Sequence, residues 1–215
     1  MKKRVAVLIS GRGSNLKALF AASEASDVPY EISKVISNRP DADGIQWAAS
    51  NGLNVETLDH KSFDSKADFE TALNEELVAA KIDFVCLAGF MRLLSATFVR
   101  RWRGRILNIH PSLLPSFEGL TPQQKALDVG ACISGCTVHF VSEKMDGGPI
   151  IAQVAVPVLP DDNEEVLSSR ILKAEHLIYA KALSAVCSSH VSWSQGNKVD
   201  VSKDHSTELY GFLEF

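Results

Sequence analysis

Asn108 and His110 stand two residues apart in "RILNIHPSLLPSFEGL" (105–120), where an apolar run meets Pro111 and Pro115. Side chains at i and i+2 of a strand share a face. A carboxamide donor and a titratable imidazole therefore emerge together where the strand stops, and the two prolines stiffen the exit. A third group is Asp146 in "VSEKMDGGPI" (141–150). Asp-Gly is turn chemistry in its own right, but a hairpin beside the 105–110 strand brings this carboxylate to His110. A carboxylate next to an imidazole favours the imidazolium and orients the ring. Donor, imidazolium and carboxylate together suit a reaction that develops an oxyanion and moves a proton. The alternative makes Asn108 a turn cap and His110 a satisfied loop histidine.

A second chemical element is "SGRGSNL" (10–16). As a dinucleotide fingerprint it is weak, because Leu16 occupies the third glycine position and "SNRP" replaces an acidic residue after the second strand. Small residues before a helix still let backbone N–H groups approach an anion, with the helix dipole behind them. A mononucleotide or sugar phosphate fits better than NAD. The alternative is a tight strand-to-helix turn with Ser14 as N-cap.

Strands and helices alternate around these residues. "RVAVLIS" (4–10) reads as a strand buried on both faces, followed by a helix over 14–26, a strand over 30–37, a helix over 41–52 closed by Gly52, and a strand over 54–59. A helix over 66–80 and strands over 83–89 and 105–110 continue the rhythm. The pattern predicts an α/β fold: a mostly parallel twisted sheet with helices on both faces. Strands over 132–141 and 149–158, joined by a short turn, predict an antiparallel hairpin in the C-terminal part, and a helix over 163–187 follows. Residues 1–187 form the expected catalytic domain. In the tail, 188–215, "HVSWSQGNKVDVS" alternates around a turn and predicts a small hairpin. For the rest of the tail, packing over the sheet edge and disorder stay open.

The chain has 215 residues, 46% apolar and 22% charged, which fits an ordinary water-soluble domain. Its net charge of −4, with no basic run beyond "KKR", argues against a nucleic-acid footprint. The apolar run after "KKR" is too short for a signal peptide, and no stretch reaches the roughly 20 residues of a membrane span. A cytoplasmic protein is expected. Cys86, Cys132, Cys136 and Cys187 lie in or beside apolar segments without metal-ligand spacing, so they read as buried reduced thiols with no metal.

"VLISGRGSNL", "LAGFMRLLS", "LNIHPSLLP", "GCTVHFVSEKMDGGPIIAQ" and "AEHLIY", in this order and spacing over about residues 4–187, closely resemble the phosphoribosylglycinamide formyltransferase family. These are folate-dependent enzymes of purine synthesis with a Rossmann-like formyltransferase fold. The resemblance implies transfer of a formyl group from 10-formyltetrahydrofolate, a co-substrate, to the amine of glycinamide ribonucleotide. Asn108, His110 and Asp146 match the family's catalytic trio. Gly13, Ser14 and Asn15 match its loop for the ribonucleotide, and Glu175 its ribose-hydroxyl contact. Met91, Arg92, Leu93 and Leu94, with Ser142, Glu143, Lys144, Met145 and Asp146, match segments lining the folate pocket, which Asn108 also touches. Lys66 stands where relatives can carry Arg near the folate tail. His139 shares a strand face with Thr137 and reads as a half-buried strand histidine that could approach the site. Relatives often carry "GLHTH" where this chain has "GLTPQQ" (119–124), which removes any loop histidine from the mechanism.

A 10-formyltetrahydrofolate hydrolase could use the same trio with water as acceptor, but carries an additional N-terminal domain. A methionyl-tRNA formyltransferase needs a basic C-terminal domain. A non-catalytic nucleotide-binding module leaves the trio unexplained. The expected partners are thus small molecules, neither nucleic acid nor membrane, for a monomer or homodimer.

Overall fold

The computed structural model describes residues 1–202 and 210–212. The chain divides into two compact units, Met1–Leu107 and Asn108–Phe215.

In the first unit, β1 (Lys3–Ile9) is followed by α1 (Ser14–Ser23), β2 (Tyr30–Ser37), α2 (Asp43–Ser50), β3 (Val55–Thr57), α3 (Lys66–Ala79), β4 (Phe84–Leu87) and α4 (Ala96–Arg101). The strand order is β4-β1-β2-β3, and every pairing is parallel. Val5–Ile9 are fully buried, as a strand covered on both faces must be. Hydroxyl caps set two helix starts: Ser65 Oγ accepts from the Asp68 N–H at 3.1 Å, and Ser95 Oγ from the Phe98 N–H at 3.2 Å. Glu70 is buried against Ser95, accepting from its N–H at 2.6 Å and from its hydroxyl. The amphiphilic ladder of β2 is interrupted by Lys34, whose buried ammonium pairs with Glu76 at 2.7 Å and lies 3.7 Å from Glu56.

β5 (Ile106–His110) ends in the second unit, where it is followed by α5 (Pro122–Asp128), β6 (Ile133–Phe140), β7 (Ile150–Pro157) and α6 (Glu164–Cys187). β6 and β7 pair antiparallel, as the short "SEKMDGG" connection predicts. Their register shifts at one point: Val138 faces Ala152 but His139 faces Ile150, leaving Ile151 as an extra residue. Such a bulge bends and twists the pair locally. α6 packs on both strands; its start is capped by Asn163 Oδ1, which accepts from the Val166 N–H at 2.9 Å. β8 (Val191–Trp193) and β9 (Val199–Val201) form the small antiparallel hairpin that the tail's alternation predicts. β10 (Tyr210–Phe212) adds a parallel strand to the edge of β7, an element without a sequence signal. The order here is β5-β6-β7-β10.

Several expectations need correction. The 14–26 helix stops at Ser23, and the 54–59 strand keeps three residues. Cys86, Cys136 and Cys187 are buried, but Cys132 is exposed, because it precedes β6 instead of lying within it. Burial, with the charge of Glu175 second, pushes the Cys136 thiol well up.

Candidate active site

The end of β5 and the β6–β7 turn assemble one cluster in the second unit. His110 Nδ1 lies 3.6 Å from Asp146 Oδ2, and both side chains are buried. His110 Nε2 is 3.0 Å from the Phe117 carbonyl, which can only accept, so this nitrogen carries a proton. Both imidazole nitrogens thus face acceptor oxygens, one within hydrogen-bond distance and one just beyond it. Asp146 Oδ2 also accepts from the Gly119 N–H at 2.9 Å, fixing the carboxylate from the loop that follows β5. The structure thus brings Asp146 beside His110.

His139 is more deeply buried than a half-buried strand histidine, at 2% exposure. Its Nδ1 lies 2.9 Å from the Phe140 carbonyl and therefore donates there. Burial lowers its pKa, against the Phe140 bond and the Asp146 charge, which raise it. Neutral His139 then presents an Nε2 lone pair to Asn108 Nδ2, at 3.2 Å. Asp146 Oδ1 stands 3.9 Å from the same nitrogen, beyond hydrogen-bond reach, as expected for a ring without a proton there. This fixes the flip of the Asn108 carboxamide. One amide proton goes to His139, while the other is left to point elsewhere. Thr137, on the same face, holds the exit loop by donating to the Ser112 carbonyl at 2.7 Å and accepting from the Leu114 N–H at 3.0 Å.

Backbone strain marks the same place. Phe117, Thr121 and Asp146 have φ of 58°, 51° and 49°, left-handed values that side chains rarely adopt. Beyond Asp146, a Cβ on Gly148 would overlap the Phe140 carbonyl oxygen, so the turn closes only with glycine there. Thr121 also starts α5, which carries Pro122 in its first turn where sequence reasoning saw only a loop. Ser142 Oγ donates to the Lys144 carbonyl at 3.0 Å; Glu143, Lys144 and Met145 are exposed, and Lys144 pairs with Glu118 at 3.4 Å.

Glu175 is buried on α6, close enough to Cys136 to act on its thiol. Within the first unit, Gly13 is left-handed at φ 69° and provides the N-cap of α1 with no side-chain cap bond. Ser14 is the first helical residue, not the cap: an N-cap needs extended backbone, which Gly13's conformation replaces. Gly13 lies against Gly44, whose N–H donates to the Gly11 carbonyl at 3.0 Å, and Asn15 is buried. The Met91 N–H donates to Ser10 Oγ at 2.7 Å, tying the "MRLL" segment to the end of β1. Met91 and Leu93 are exposed, while Arg92 and Leu94 are partly covered. Lys66 is 3.9 Å from Glu70 on its own helix.

The formyl transferase family profile matches residues 3–183. The chain is 42% identical to phosphoribosylglycinamide formyltransferase of Escherichia coli, over 84% of this chain and 85% of that protein. The chain belongs to the formyl transferase family. It is also 52% identical, over 85% of its length, to the trifunctional purine biosynthetic protein adenosine-3 of Drosophila melanogaster, of which it spans only 14%. A solved formyl transferase, the phosphoribosylglycinamide formyltransferase of Anaplasma phagocytophilum, superposes with a TM-score of 0.91 at 42% identity, covering 100% of both chains. The mostly parallel α/β sheet read from the sequence is the fold of this formyl transferase. No helix among the described residues is long and apolar enough to cross a membrane.

Proposed function

We propose that this chain transfers the formyl group of 10-formyltetrahydrofolate to the primary amine of glycinamide ribonucleotide, a step of purine synthesis. The observation that carries the proposal is the buried His110–Asp146 pair at 3.6 Å with the Asn108 carboxamide held beside it, in a member of the formyl transferase family.

The substrate amine attacks the formyl carbon, and the carbonyl oxygen becomes a tetrahedral oxyanion. Asn108 donates its second amide proton to that oxygen; one such preorganised donor is typically worth about 3–4 kcal/mol in the transition state. The imidazolium of His110 places positive charge on the same face. Because its Nε2 proton is engaged by the Phe117 carbonyl, direct donation from that nitrogen requires the strained Phe117 backbone to release it. Asp146 sustains the imidazolium and relays the proton from the attacking amine to the departing folate nitrogen, after which the carbon–nitrogen bond to folate breaks. The nucleophile belongs to the substrate, so the chain forms no covalent intermediate.

In the first unit, the uncapped start of α1 with Gly13, Ser14 and Asn15 supplies backbone donors for the ribonucleotide phosphate. The family resemblance assigns Met91–Leu94, Lys66 and Ser142–Asp146 to the folate and Glu175 to the ribose. Residues 1–187 form the catalytic part and 188–215 an accessory tail. Incubation with 10-formyltetrahydrofolate and glycinamide ribonucleotide should yield the formylated ribonucleotide. Formate release without acceptor, and no formylated product, would assign the trio to a hydrolase instead.

A further inference from the structure

The first unit carries a cavity of about 450 Å³ lined by none of the residues assigned above. Asn74, Lys81, Ile82, Arg101, Trp102 and Arg105 form its wall. Its floor is apolar, since Ile82 and Trp102 are buried. The Arg105 guanidinium lies 4.3 Å over the Trp102 ring and is steered further by donating to the Arg101 carbonyl at 3.0 Å. Trp102 Nε1 donates to Asn74 Oδ1 at 3.1 Å, so that amide has its acceptor occupied and its Nδ2 protons left over.

Three cations therefore rim one concavity. Among the described residues no carboxylate pairs with Lys81, Arg101 or Arg105, and all three side chains are exposed to solvent and to any ligand that enters. Like charges gathered without counter-charge repel, and the repulsion is relieved by an anion. Every free side-chain polar group at the rim is a donor, which calls for a ligand made of acceptors. Guanidinium forks match phosphate oxygens two at a time, and the ammonium adds a point charge.

We propose that this cavity is a second anion site, which binds the diphosphate group of a small molecule independently of formyl transfer. Inorganic pyrophosphate and ADP are the probes, titrated calorimetrically into the full chain, and they distinguish a free diphosphate from one carried by a nucleoside. Wild type should bind pyrophosphate saturably with a dissociation constant below about 1 mM, weakening as salt rises. Lys81→Gly combined with Arg101→Gln should lower that affinity at least about tenfold, as expected for the loss of two charge-assisted contacts. Glycine suits the left-handed backbone at Lys81, φ 52°, so the first change relieves strain and the variant should fold. Saturating glycinamide ribonucleotide, which occupies the loop assigned to the substrate phosphate, should leave pyrophosphate binding at the cavity unchanged. Equal affinity in the doubly substituted chain, loss of binding when glycinamide ribonucleotide is present, or binding only of long polyanions such as RNA would each overturn the assignment. Tighter binding of ADP than of pyrophosphate supports it and identifies a nucleoside diphosphate as the ligand.

Discussion

Asp146 separates turn chemistry from catalysis by a single charge. Asparagine tolerates the left-handed backbone at this position and supports the same turn. Asp146→Asn should nonetheless lower kcat by at least about 10²-fold, with little change in KM for the ribonucleotide, because a transition-state interaction is lost. A fully active variant would sink the proposed proton relay. His139 gives a second test. Gln at this position offers a carbonyl oxygen to the Asn108 amide and should keep most of the activity, whereas Leu frees the carboxamide to flip. His139→Leu should cost about tenfold in kcat, part of what removing an oxyanion donor outright costs; matched activities of the two variants would remove His139 from the site. Asn108 and His110 were legible because their spacing is local. The role of His139 was not, since its partner lies 31 positions away on another strand. Its only signal was the face shared with Thr137.

At the scale of elements, the continuous apolar strands and the short β6–β7 connection could be read directly, while α4 and α5 could not. They have six and seven residues, too few for a helical period to show. Ser14 misled because a hydroxyl before an apolar helix usually caps it, and here a left-handed glycine takes the position. Lys34 breaks β2's pattern for a reason that only the folded chain reveals, two carboxylates brought from β3 and α3. The tail hairpin is more than an appendage. Trp193 lies against Phe140 with ring centroids 5.8 Å apart, and Asn197, Lys198 and Val199 line a cavity of about 530 Å³ that also contains Asp146. No residue assigned to the reaction lies beyond Glu175, so a chain ending at Ser189 should keep its chemistry. It should do so less stably: an aromatic pair contributes about 1 kcal/mol, and each kcal/mol lowers Tm by about 2–4 °C in a protein this size. Calorimetry of the truncated chain alongside its kcat checks both halves. A folded truncation with unchanged Tm but lost activity would make the hairpin part of the active site.

For the whole molecule, two histidines couple stability to pH. Burial lowers the pKa of His139, and also that of His176 on α6, below the ordinary 6.5. Unfolded chains take up protons below pH 6.5 that the native fold refuses, so stability falls as pH drops from 6.5 toward the native values. Each fully refused proton costs about 1.4 kcal/mol per pH unit. Urea midpoints should therefore decline between pH 6.5 and 5, and His139→Gln should flatten the decline; an unchanged slope would show that His139 is charged in the fold. The bulge at Ile151 carries a different consequence, one for sequence drift. It divides the hairpin into two stretches with independent side-chain parity. Beyond it, the apolar pairs Cys136–Val154 and Val138–Ala152 can exchange one apolar residue for another over evolutionary time. On the inner side, His139 and the glycine-closed turn at Gly148 hold their alignment. A one-residue deletion in β7 would erase that freedom and turn a tolerant strand into one where every substitution is felt at Asp146.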